Sequence, residues 1–291
     1  MKYRYPVAIA IIFVFQLFAD AQQKENFSST EMVLIPAGEF IMGNTDTQIK
    51  YGVRICKKYN KHCSSWFPGE GPQHKVYLDA YYIDKYEVTI GQYLECVEAK
   101  TCPKSYPELL YDTCYTKKYI NDKNNPVNCV TWFLADEYCK WAGKRLPTEA
   151  EWEKAARGTD GRTYPWGEEE ADCEHAVISD KKMPGSICRY NGHSGTWPVG
   201  SKPKDRSPYG VMDMAGNVEE WVADWYDENY YKNSPYKNPK GTETGEEKVI
   251  RGGNFMQTAV AARTASRLVY FSPFSGYNFS FLGFRCAKDA D

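Results

Sequence analysis

The segment Asp213-Met214-Ala215-Gly216-Asn217-Val218-Glu219-Glu220 carries the side chains best suited to binding an ion. Calcium takes about six to eight hard oxygen ligands, and the carboxylates of Asp213 and Glu220, with backbone carbonyls between them, could wrap one. The ten cysteines form a second candidate set. Cys56/Cys63, Cys96/Cys102 and Cys173/Cys188 are close enough to staple local loops, while Cys114, Cys129, Cys139 and Cys286 could close longer ones. Spacing alone does not fix their connectivity. There is no Cys-x-x-Cys, and the four histidines are His62, His74, His175 and His193, so a zinc reading is weak. His175 and His193 flank the Cys173 to Cys188 loop and could be brought together if it closes, although two imidazoles alone are a weak metal signal. A third segment stands out for what it lacks. Arg251-Gly252-Gly253-Asn254-Phe255-Met256-Gln257 runs toward Leu282-Gly283-Phe284-Arg285-Cys286, and no Cys or His occurs from Asn254 to Leu282. Arg263 and Arg267 lie within this interval, placed either to face an acidic partner or to pack in salt bridges.

These groups need elements to position them. Met32 to Gly43 reads as two short strands around Pro36-Ala37-Gly38, and Val76 to Glu87 as another strand pair. The cysteine-bearing stretch up to Gly71 reads as a surface loop. Thr89 is placed to cap a helix through its hydroxyl. Trp132, Ala135, Tyr138, Cys139 and Ala142 recur at helical spacing, and Gly143 ends that run. Thr148 followed by Glu151 is a capping box opening the next helix. Beyond Gly167 the chain is rich in Gly, Pro, Asp, Ser and aromatics and predicts long irregular connections. Their ordering costs roughly 1–2 kcal/mol per residue in backbone entropy, so they need anchors.

Residues 1–21 have a basic start (Lys2, Arg4), an apolar run from Val7 to Phe18 and a small-residue exit, the layout of a secretory signal peptide. The run is too short to span a bilayer comfortably. Residues 22–30 then form a short extension, and the chain is expected to be extracytoplasmic, periplasmic or secreted, with no membrane span after signal removal. The rest of the 291 residues suffices for one large domain. Basic and acidic side chains number 36 and 38 and are well mixed, for a net charge of -2. That excludes a basic footprint for nucleic acid. The 8 Trp and 23 Tyr read first as core and loop packing rather than as a ligand-binding surface.

Several separated segments together resemble one family. Met32 to Gly43, Glu87-Val88-Thr89, Pro126 to Trp132, Trp141 to Glu153, Tyr164-Pro165-Trp166-Gly167, Gly216 to Trp221, Arg251-Gly252-Gly253 and Gly283-Phe284-Arg285-Cys286 are similar to the formylglycine-generating enzyme, or sulfatase-modifying factor, superfamily. The similarity covers residues 31–288. It implies a single α+β domain of C-type-lectin-like fold with limited regular secondary structure. It also implies a range of activities: copper-dependent oxidases, cysteine-lacking paralogues, iron-dependent sulfoxide synthases and maturation factors for secreted pigments. Fold does not choose among them.

Transferred residue by residue, the resemblance puts Asn254 at a serine position, Gln257 at the first copper-binding cysteine and Ala262 at the second. Neither Gln nor Ala supplies the soft thiolate that holds Cu(I), so copper-dependent oxidation is not expected. The three-histidine iron site of the sulfoxide synthases is not matched either, and His74 corresponds to a structural histidine. The family's calcium ligands fall on Asp213, Gly216, Val218 and Glu220, with Asp213 replacing an Asn. A second calcium site is in doubt because Val177 stands where an Asn is usual. One family disulfide corresponds to Cys139 and Cys286, and another is absent at Ala156. The leading expectation is an exported, calcium-stabilised accessory or binding protein for a protein, peptide or glycan, with a groove around Asn254, Gln257, Arg263 and Arg267. The alternative is an oxygen-dependent peptide-modifying or pigment-maturation enzyme using a different site.

Overall fold

Three threonine-led capping boxes fix where helices begin. Thr45, Thr89 and Thr148 each accept a hydrogen bond from the backbone N–H three residues on, and the side chains of Gln48, Gln92 and Glu151 in turn accept one from the cap residue's backbone N–H. The structure is a computed structural model that describes residues 30–58, 63, 67, 69–103, 122–179, 187–190, 192–267, 270–275 and 279–290. The signal segment, the extension up to residue 29 and Cys114 lie outside these. In chain order the elements are β1 (Met32–Ile35), β2 (Gly38–Met42), α1 (Asp46–Cys56), β3 (His74–Leu78), β4 (Tyr81–Asp84), α2 (Ile90–Glu98), α3 (Trp132–Trp141), α4 (Glu149–Arg157), β5 (Arg189–Tyr190), β6 (His193–Ser194), β7 (Glu219–Trp225), β8 (Lys248–Arg251), β9 (Tyr270–Phe271), β10 (Leu282–Phe284) and β11 (Ala287–Asp289).

Helix α1 corrects the surface-loop expectation for that stretch. The Thr45/Gln48 box nucleates it, and Gly52, Ile55 and Cys56 turn one face inward. A Cβ on Gly52 would meet the Phe67 ring at 2.5 Å and the Arg263 guanidinium carbon at 3.1 Å, so this face is closely packed. The two predicted strand pairs form, but they pair crosswise. β1 runs antiparallel to β4, and β2 antiparallel to β3. The short Pro-Ala-Gly and Asp79-Ala80 connections thus pass chain between two sheets.

β4 also receives β11, while the second main sheet has the order β10-β7-β8-β9. In it β10 lies parallel to β7, with Leu282 opposite Glu219 and Phe284 opposite Trp221. The C-terminal segment therefore serves both sheets. Trp221, Phe284, Tyr138 and Cys139 pack in one apolar cluster, and Trp152, Val222 and Val249 in another that borders β2 and β3. The regular elements are short and loops link most of them, an α+β architecture with limited regular secondary structure.

Disulfides anchor those loops: Cys56–Cys63, Cys96–Cys102, Cys139–Cys286 and Cys173–Cys188. No described cysteine is free. Such bonds persist in oxidising compartments, and the protein is extracytoplasmic. Among the described residues no helix is long and apolar enough to cross a membrane.

Candidate functional site

Helix α4 is the floor beneath the candidate site, and all 9 of its residues are buried. Its charges therefore require partners. Glu149 accepts from Arg267 at 2.7 and 3.1 Å, Glu153 accepts from Arg157 at 2.7 Å and from Arg251 at 2.5 Å. Arg263 pairs with Glu70 through two bonds of 2.8 Å. Arg263 and Arg267 are each 2% exposed. This corrects the expectation that they line a groove: their guanidinium donors are consumed by Glu70, Glu149 and backbone carbonyls, so they take the packed, salt-bridged role.

Next to this network the chain turns sharply. Gly252 and Gly253 adopt φ of 97° and 73°, the left-handed region. At Gly253 a Cβ would approach the Ala261 carbonyl carbon to 3.0 Å, so both backbone angle and space require glycine. The turn delivers Asn254, which is 2% exposed, and Gln257, which is half-buried. Asn254 Oδ1 accepts from Met256 N at 2.8 Å, and the Gln257 carbonyl accepts from Ser179 N at 2.7 Å. Ala262 is fully buried.

Beside Asn254 and Gln257 stands Glu219, the first residue of β7, which sequence reasoning did not single out. It is 1% exposed, and the Asn254 and Gln257 amides lie beside its carboxylate without making a well-formed hydrogen bond to either oxygen, while Gln257 Oε1 also lacks a donor. Burial pushes the Glu219 carboxyl up to about 7, against the opposing influence of the Gln257 and Asn254 side chains. A strand residue directly before the buried Glu220 should face away from it, and no sequence pattern indicates that this second face is covered as well.

Of the four residues expected to bind calcium, Glu220 and Asp213 lie against Arg285. Glu220 is fully buried and its oxygens accept from Arg285 Nε at 2.7 Å, Arg285 Nη2 at 2.6 Å and Trp152 Nε1 at 2.8 Å. Asp213, with φ of 59°, accepts from Gly200 N at 2.6 Å. Burial raises the Asp213 carboxyl to about 6, against the opposing Gly200 N–H and the Arg285 charge. Two further acids join this region. Glu87 is held well above the carboxylate range by burial and then by Asp213 and Glu220, and Asp205 by burial and then by Asp213. Among the described residues no three His, Cys, Asp or Glu side chains converge as a metal-ligand set. Glu220 is engaged by a guanidinium rather than turned toward an open ion site.

His175 is buried and stacked on Trp166, with ring centroids 4.8 Å apart, and its Nδ1 lies 2.8 Å from Asp172 Oδ1. His74 Nδ1 lies 3.0 Å from the Pro72 carbonyl, with its ring edge-on to Tyr231. Neither ring faces Glu219's corner by any of these contacts. A separate cleft of about 660 Å³ is lined by Trp132, Asp136, Lys140, Arg145 and Lys248 among others, and includes none of Glu219, Asn254 and Gln257.

The sulfatase-modifying factor enzyme 1-like domain matches residues 17–290. The chain belongs to this family. It is 32% identical to the formylglycine-generating enzyme of Mus musculus over 302 residues, covering 89% of this chain and 75% of that protein. It is 33% identical to the formylglycine-generating enzyme of Thermomonospora curvata, covering 89% and 93%. Among solved structures it is similar to PvdO from Pseudomonas aeruginosa, with a TM-score of 0.66 and 27% identity over 89% of this chain and 94% of that one. The described cysteines of this chain are in disulfides, whereas copper-dependent formylglycine generation needs a free thiol pair. Copper-dependent oxidase chemistry of that kind does not fit the protein.

Proposed function

We propose that the protein is an exported maturation enzyme on the sulfatase-modifying factor scaffold, acting on a peptide or a peptide-derived pigment precursor with dioxygen as oxidant and without a cysteine pair. One observation carries this reading. The corner where the family resemblance locates the cysteine pair is apolar on one side, at Phe255 and Ala262, but also holds Glu219, Asn254 and Gln257, with acceptor atoms of Glu219 and Gln257 lacking a donor under a glycine turn. A scaffold retained only for structure gains nothing from a buried carboxylate without a partner, which costs several kcal/mol. Similarity to PvdO across nearly the whole of both chains is consistent with this.

The domain division that goes with it is a cleaved leader at residues 1–21, an extension at 22–30 and a domain at 31–288 of C-type-lectin-like ancestry. Structural calcium at Asp213, Gly216, Val218 and Glu220 is part of the proposal. Its support is charge balance: Glu87, Asp205, Asp213 and Glu220 are all buried around Arg285, and Asp205 Oδ1 has no partner. Glu220's bonds to Arg285 mean that Asp213 and backbone carbonyls would do most of the holding. The ion would steady the turn before β7 and take no part in chemistry.

The test is mass spectrometry of exported peptides and small molecules from cells with and without the gene. The expected result is a precursor that accumulates without the protein and is converted by purified protein in air, but not under argon, by loss of hydrogen or gain of oxygen. Identical profiles and no conversion would return the chain to the accessory role, binding an exported protein, peptide or glycan.

A further inference from the structure

Glu219 is buried at the head of β7 with both oxygens unpaired, and Gln257 Oε1 beside it is likewise without a donor. Three acceptor atoms without a donor are rare in a folded core, where most buried polar side-chain atoms are hydrogen-bonded. The Gln257 and Asn254 side-chain amides lie beside Glu219 and hold its carboxyl down somewhat against the rise from burial, yet they are neutral and bring no positive charge to it. Asn254 commits its carbonyl oxygen to Met256 N, and the backbone N–H of Glu219 goes to the Phe281 carbonyl. No arginine or lysine figures among the groups acting on the Glu219 carboxyl, and Arg263 and Arg285 are bound to Glu70 and Glu220. Gln257 is half-buried and Met256 is 43% exposed, so the corner borders the surface.

We propose that Glu219, with Gln257 beside it, is a recognition site for a cationic N–H donor, a primary ammonium or a guanidinium carried by the substrate. An ammonium offers three N–H groups and a guanidinium a planar fork, so either supplies donors to the two carboxylate oxygens together with positive charge. A neutral amide supplies donors without the charge, and a quaternary ammonium the charge without donors. The selectivity between these is therefore a signature of this arrangement. The proposal rests on the reading of this corner as the place where substrate enters, but binding is measured without turnover and fails or succeeds separately from it.

The experiment is isothermal titration calorimetry of the purified full chain in calcium-saturated buffer of constant ionic strength. The probes are ethylammonium, N-ethylguanidinium, acetamide and tetramethylammonium. Saturable binding is expected for ethylammonium or N-ethylguanidinium, each distinguishing its own source of the donor, and binding at least about tenfold weaker for the other two probes. Glu219→Gln should weaken the favoured probe by about tenfold or more. Melting and near-ultraviolet circular dichroism show whether this variant folds. If it does not, Gln257→Leu at the half-buried position carries the test, with a loss of about fivefold expected. No saturable binding of either N–H cation, equal binding of tetramethylammonium, or unchanged affinity in the folded variants would each overturn the assignment.

Discussion

Arg285 and Glu220 form a doubly bonded ion pair at zero exposure, with Nε to Oε2 at 2.7 Å and Nη2 to Oε1 at 2.6 Å. The same guanidinium donates to the carbonyls of Asp84, Lys85 and Met212. It therefore ties the segment after β10 to β4, β7 and the turn before β7. Removing one partner strands the other charge in the core. Arg285→Met should destabilise the protein by about 3–5 kcal/mol, read from urea midpoints. A loss below about 1 kcal/mol would mean that Glu220 finds another cation.

The Cys139–Cys286 bridge closes a separation of 147 residues. In the chain-entropy model a loop of that length contributes about 5 kcal/mol through the unfolded state. The double variant Cys139→Ser with Cys286→Ser should lose a large part of that, and more than Cys96→Ser with Cys102→Ser, whose separation is 6. Equilibrium unfolding of both variants under non-reducing conditions gives the comparison. Equal losses would shift the explanation from chain entropy to local packing.

Asp224 sets a pH dependence of unusual sign. Burial raises its carboxyl to about 8, and the neighbouring Glu149 adds to the rise, while the Glu149 N–H and Arg267 oppose it. A raised folded-state value means that the native state holds a proton the unfolded chain has released. Its contribution is fully present below about pH 4, the unfolded value, and is lost as pH rises through 8. Asp224→Asn keeps an acceptor for the Glu149 N–H, which lies 2.8 Å from Oδ2. The variant should gain on the wild type by a few kcal/mol between about pH 5 and 9, as seen in paired melting curves. A constant difference across that range would refute the assignment.

Copper gives a direct contrast. The wild-type protein, incubated with Cu(I) and dialysed, should retain no stoichiometric thiolate-bound copper, because its described cysteines are in disulfides. Gln257→Cys with Ala262→Cys should raise copper retention toward one per chain if the family correspondence of those positions is right. Elemental analysis and the ultraviolet thiolate-to-metal band provide the readout. Equal copper in both proteins would show that some other group binds it.

How far the sequence leads differs from element to element. The helices opened by Thr89 and Thr148 were legible because capping boxes are local chemistry, and the α+β class followed from the same patterns together with family motifs. Helix α1 carries a capping box too, but its cysteine-bearing stretch reads as a loop, and its inward face of Gly52, Ile55 and Cys56 is defined only by contact with distant residues such as Phe67 and Arg263. The Arg263 and Arg267 partners, Glu70 and Glu149, lie far off in sequence, and no spacing announces such pairs. Glu219 was hidden for a similar reason. Its neighbour Glu220 was the residue with an evident ligand role, and the side chains beside Glu219, Asn254 and Gln257, lie far off in sequence.

The placement of Arg285 and Cys286 also bears on the order in which the chain is made. Glu220 waits for a partner that emerges 65 residues later, and Cys139 for one that emerges 147 residues later. Until then neither main sheet has its β10 or β11 strand. Translocation machinery that threads unfolded polypeptide thus meets a chain whose core cannot lock early, and the final fastening takes place where thiols can be oxidised.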